Sequence, residues 1–177
     1  MKKIVAITIL ILTFIIFYIL QANIFSWFTI AGVMPNIFVI LALFVGLYSG
    51  VKMGTLYGIV IGLFIDIVIG TNLGPATVMY GIIGFLGGQF DKNFSKDSRM
   101  TIMLMVLGST ILYEIGAYIF QIAIYGIEIE ILNFAKTLLI EAVYNVILTI
   151  IIYPIIQNAG YYVEDIFKGQ KALTRYF

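Results

Sequence analysis

Apolar residues in this chain run in long blocks that are broken by charges, glycines and prolines and do not alternate with polar ones. Neither the two-residue period of a half-buried strand nor the polar face of a soluble helix is present, so the blocks read as helices that are apolar all round. Six of them, at about 4–22, 35–51, 53–70, 75–90, 100–125 and 138–157, are candidate membrane spans. The stretch 35–70 is interrupted near its middle by Lys52. As one helix it would be about 50 Å long, against a hydrocarbon core of about 30 Å, so it must reverse near 49–53. A second tight reversal is expected at 70–74, around Gly70 and Gly74. Pro35 and Pro75 suit first helical turns, where a missing N–H costs little. Pro154 lies inside the sixth block, cannot donate to the carbonyl of Ile150, and predicts a kink or an early end.

Composition agrees with this pattern: of 177 residues 62% are hydrophobic and 11% charged, and the mean hydropathy is +1.10. These values are those of an all-α polytopic membrane protein and not of a soluble domain. With a net charge of +1 and no basic block longer than Lys2-Lys3, no footprint for nucleic acid is present. Cysteine and histidine are absent, which removes disulfides, thiol nucleophiles, a histidine base and the common zinc and haem ligand sets. No nucleophile, base and oxyanion arrangement or phosphate loop is evident, so no enzymatic activity and no cofactor are expected.

Charge also sets orientation. With the N-terminus in the cytoplasm, nine of the ten basic residues fall on inside segments and only Lys136 lies outside, a strong positive-inside bias. Six spans with both termini cytoplasmic are therefore expected. The run after Lys2-Lys3 is read as a retained first span, because Gln21-Ala22-Asn23 offers no small-x-small cleavage site. Segment 23–34, with Phe25, Trp27 and Phe28, is too short to cross and reads as an aromatic belt at the outer interface. The tail 161–177 mixes aromatic and basic residues and suits a stretch lying on the cytoplasmic leaflet.

Glycine recurs at every fourth position in Gly46, Gly50, Gly54, Gly58 and Gly62, and Asp66 follows at the same spacing. In lipid, small residues let helix backbones approach and so become a source of association energy. The reversal near 50 divides the comb, leaving Gly54, Gly58 and Gly62 as a packing stripe on the third span and Gly84 on a second small-residue surface in the fourth. Asp66, Glu114 and Glu141, the last with Asn145 one turn away, place acids in the outer half. An ionisable group at membrane depth is by default a functional candidate. Glu114 reads as the deepest, Asp66 and Glu141 as lying about one turn from the boundary, and Glu128 and Glu130 as solvated loop residues. Lys136 is the one cation near enough in sequence to pair with Glu141.

Pro35-Asn36, Gly54-x-x-x-Gly58-x-x-x-Gly62-x-x-x-Asp66, Gly70-x-x-Leu73-Gly74, Tyr80 and Gly84-Phe85-Leu86-Gly87 together resemble the core pattern of the MreD family of rod shape-determining membrane proteins. The resemblance carries Gly54, Gly58, Gly62, Asp66 and Gly74 as motif positions with structural roles. It implies a non-enzymatic membrane scaffold of the cell-elongation and peptidoglycan-synthesis machinery. The partners it implies are an MreC-like protein, MreB filaments, RodA and its transpeptidase, and contact with them is expected through the glycine stripes and the outer acids. It further implies location in the bacterial cytoplasmic membrane and a six-helix fold similar to the S components of energy-coupling-factor transporters. That similarity supplies the alternative, a substrate-binding S component for a cationic vitamin or metal. Such a component would normally dock through an Ala-x-x-x-Ala surface on span one, where this chain has Ala6 and Ala22.

Overall fold

The structure, a computed structural model, describes residues 2–69, 73–94, 96, 98–126 and 130–168. It is all helical, in the order α1 (Lys2–Ile19, continued by a π-helical turn at Leu20–Phe25), α2 (Ile37–Ser49), α3 (Val51–Val68), α4 (Pro75–Asn93), α5 (Arg99–Tyr125) and α6 (Ile131–Lys168). Four of these, Lys3–Phe25, Val51–Val68, Arg99–Ile124 and Ile131–Lys168, are long and apolar enough to cross a membrane, while α2 is apolar but shorter.

At the centre stands α2, with every one of its residues from Ile37 to Ser49 buried. Its sequence, apolar with no polar face, is what a helix surrounded by other helices requires. Around it Phe44 stacks on Tyr48, Phe38 meets Tyr80 edge-on, and Leu10 and Phe17 of α1 join the same core. A single residue, Gly50, joins α2 to α3, and its φ of 85° is one that a side chain would strain. Gly74, with φ 128°, does the same before α4. Gly70 lies outside the described residues.

The glycine comb brings α2, α3 and α4 to backbone contact. A Cβ added at Gly54 would lie 2.5 Å from the Gly46 Cα and 2.5 Å from the Gly84 carbonyl oxygen. One at Gly58 would lie 2.6 Å from the Tyr80 carbonyl carbon, and one at Gly62 2.6 Å from that of Ala76. Real side chains need about 3.5–4.0 Å. Gly84 meets Gly54 in return, and Gly87 and Gly88 meet Leu43 and Val51. The stripe is thus an internal seam between neighbouring helices of one chain, and Gly54, Gly58, Gly62 and Gly84 are all buried.

The sixth helix departs furthest from the expected bounds. It begins at Ile131, well before 138, and continues through Pro154 to Lys168 without the early end anticipated there. Pro154 is exposed, so its ring and the freed carbonyl disturb no packed neighbour. Residues 161–168 of the expected surface tail are part of this helix, with Val163 and Glu164 buried; residues 169–177 lie outside the described residues. Before α2, Ala31 (φ 51°) and Gly32 (φ 83°) form a two-residue reversal closed by hydrogen bonds between Ile30 and Val33, leaving Trp27 and Phe28 exposed.

Candidate functional site

Asp66 has a defined task. Gly74 stands at the N-cap of α4 with no side chain to cap it, and Pro75 follows. The Asp66 carboxylate reaches across from α3 and accepts from the backbone N–H of Gly74 (2.9 Å), Ala76 (3.0 Å) and Thr77 (2.9 Å), and from the Thr77 hydroxyl (2.6 Å). An anion at a helix N-terminus satisfies donors that have no partner within the helix and complements the dipole. Asp66 and Gly74 therefore form one capping unit, distinct from the other two acids. Asp66 is buried, not solvated at an interface.

A second polar cluster gathers where α2 begins, beside the middle of α5 and the third and fourth turns of α6. Asn145, fully buried, accepts from the Asn36 backbone N–H at 2.8 Å and donates to the Thr110 hydroxyl at 3.0 Å. Asn36 caps α2 by accepting from Val39 N–H, and the same oxygen accepts from the Tyr80 hydroxyl at 3.0 Å. The Tyr80 and Tyr113 rings lie 4.8 Å apart. The side chains of Glu114 and Glu141 are close enough to interact with each other, and Glu141 also lies near Asn145 and Asn36. Glu141 is 7% exposed, and its Oε1 has no hydrogen-bond partner.

Glu141 is thus deeper than its sequence position implied. The earlier start of α6 places it ten residues, about 15 Å, into the helix. Lys136 is exposed and forms no ion pair with Glu141. Glu128 lies outside the described residues. Glu130 is exposed; its N–H donates to the Tyr118 hydroxyl and its carboxylate accepts from Asn133.

Over this cluster opens a cavity of about 590 Å³ between α5 and α6. Tyr113, Glu114, Ala117, Tyr118 and Gln121 line it from α5, Asn133, Phe134 and Thr137 from α6, with Asn36 and Glu130 completing the wall. Tyr118 and Phe134 stack across it at 4.3 Å. Among the described residues the lining holds two carboxylates and no lysine or arginine.

The opposite end of the bundle is closed by an ion network that the hydropathy pattern does not reveal. Lys96 pairs with Asp91 at 2.9 Å and with Glu164, and Lys168 pairs with Asp91 at 2.8 Å and Glu164 at 3.4 Å. Lys168 also donates to the Leu47 carbonyl at 2.6 Å, satisfying an orphan acceptor at the end of α2. Burial opposes the charge on Lys96, but its hydrogen bonds to Glu164 and Asp91 outweigh this and hold its pKa above the usual lysine value. The Lys96 ammonium also lies 5.2 Å from the centre of the Tyr48 ring. Read singly, Lys96 and Lys168 are positive-inside charges; the signal available in the sequence is that Asp91 and Glu164 are spaced to meet them.

No curated protein and no solved structure matches the chain. The family model for the rod shape-determining protein MreD matches residues 1–159, which span the glycine seam, the Asp66 cap and the Glu114–Glu141 pair. The chain belongs to the MreD family and has a role in rod shape determination.

Proposed function

We propose that this protein is a six-span scaffold of the cell-elongation machinery in the bacterial cytoplasmic membrane, with both termini inside, acting with an MreC-like protein, MreB filaments, RodA and its transpeptidase. The family match over residues 1–159 carries this reading. The proposed orientation puts the Lys96 network inside and the Glu114–Glu141 cavity outside, in keeping with the positive-inside distribution. Because the glycine seam is buried within the chain, partners meet other surfaces. The flank of α1, where Ile4, Ile11, Leu12, Ile15 and Ile16 are exposed, is the face we assign to them. Site-specific photocrosslinking from Ile11 and Ile15 in growing cells tests this. Adducts with an MreC-like or other elongation protein are expected, and adducts with none of them, under conditions where Leu63 in α3 also yields none, would overturn it.

One observation favours a second reading. The cavity with its acid floor is where an S component similar to those of energy-coupling-factor transporters would hold a cationic vitamin or metal. The neighbouring gene separates the two, since an MreC-type reading frame supports the first and a transporter-type frame the second.

A further inference from the structure

We propose that the cavity between α5 and α6 is a binding site for a small organic cation, whose ammonium or guanidinium group is seated against the Glu114 carboxyl, with the buried Glu141 carboxyl as its neighbour. Three independent features point to it. First, its volume of about 590 Å³ is within the range of small-molecule sites, about 300–1,000 Å³.

Second, the chemistry of the wall is one-sided. Glu114 and Glu130 line it, Glu141 interacts with Glu114 and Asn36 of the wall without itself lining the cavity, and among the described residues no basic side chain lines it. Lys136, the nearest cation in sequence, points to no acid here and is exposed. Tyr113, Tyr118 and Phe134 add aromatic surface, which attracts cations through the ring quadrupole.

Third, the polar network beside the cavity leaves a buried acceptor without a partner. Asn36, Tyr80, Thr110 and Asn145 satisfy one another, whereas Glu141 Oε1 is buried with no donor. A buried carboxylate oxygen without a donor is costly, and a donor arriving with a positive charge removes both the vacancy and the repulsion between the two acids. The alternative is a carboxyl pair closed by a shared proton, which needs no ligand. A single lysine or arginine from a partner would leave most of the cavity unfilled, so a free solute is the occupant to which the geometry points.

The test is isothermal calorimetry on the purified full-length protein in nanodiscs, with agmatine, choline and spermidine as guanidinium, quaternary ammonium and primary ammonium probes. Saturable binding of at least one probe is expected, weakened about tenfold or more by Glu114→Gln and by Glu141→Gln, the loss of a charge-assisted hydrogen bond. Ala117→Phe fills the cavity and keeps both carboxyls, so it should abolish binding while leaving the unfolding midpoint near that of the wild type; this variant keeps the test decisive if either glutamine variant fails to fold. No saturable binding of any of the three probes, or binding that survives Ala117→Phe, would overturn the proposal. The proposal deepens the second reading, which places a cation in this cavity; its outcome is independent of the scaffold reading, which is judged on cell shape and crosslinked partners.

Discussion

Replacing Gly54 by alanine opposes two effects of known size. Alanine is the better helix former by about 1 kcal/mol. Against this, the new methyl would sit 2.5 Å from the Gly46 Cα and 2.5 Å from the Gly84 oxygen, about 1 Å inside ordinary contact. Both obstacles are backbone atoms, so no side chain can rotate away. Helix α3 must part from α2 and α4 together, and a gap of about 0.5–1 Å forfeits a quarter to a half of each contact along the seam. Overpacking of this kind costs about 1–3 kcal/mol in soluble cores, and here the loss extends to Gly58, Gly62 and Gly88 on the same seam. A net destabilisation of about 2 kcal/mol is expected. Gly108 in α5 provides the internal control, because a Cβ there meets nothing within 4 Å. Gly108→Ala should gain about 0.5–1 kcal/mol from propensity alone. Reversible unfolding in mixed micelles, followed by circular dichroism, reads both; equal effects at the two positions would refute the seam.

Asp66→Ala removes the acceptor for three backbone N–H groups and one hydroxyl, and should cost about 2–4 kcal/mol, with Asp66→Asn costing about 1 kcal/mol. Hydrogen exchange at Ala76 and Thr77 should rise in the alanine variant, and unchanged protection would contradict the cap. Lys96→Met removes one of the two described lysines that pair with Asp91 and Glu164, a loss of about 3 kcal/mol for breaking a buried pair. The double variant Lys96→Met, Glu164→Leu should recover more than half of that in the same unfolding assay; additive losses would show that the charges do not form one network.

The helices were legible because hydrophobic blocks end at glycine, proline or charge, and the α2–α3 reversal follows from bilayer thickness alone. The start of α6 was hidden because Asn133, Lys136 and Thr137 interrupt the apolar run; two of these face the cavity, so their polarity marks a site and not a loop. That misplacement carried Glu141 toward the interface. The continuation past Pro154 was hidden for a different reason: an exposed proline can be carried by a helix that is anchored on both sides, by Tyr153 donating to the Lys96 carbonyl at 2.9 Å and by the Glu164 pairs. Asp66 illustrates a signal that was present and unread. A glycine N-cap before Pro75 has no side chain of its own, which requires an acceptor from elsewhere. The Lys96 network escaped because charges outside apolar blocks are counted for orientation, and counting does not pair them.

The central claim is that the protein acts in rod shape determination as a scaffold and not as an importer. Depleting it in a rod-shaped host while following cell width and micronutrient uptake together tests that claim most directly. Rounding and widening with uptake unchanged is the expected result; cells that stay rod-shaped while losing uptake of one micronutrient would contradict it.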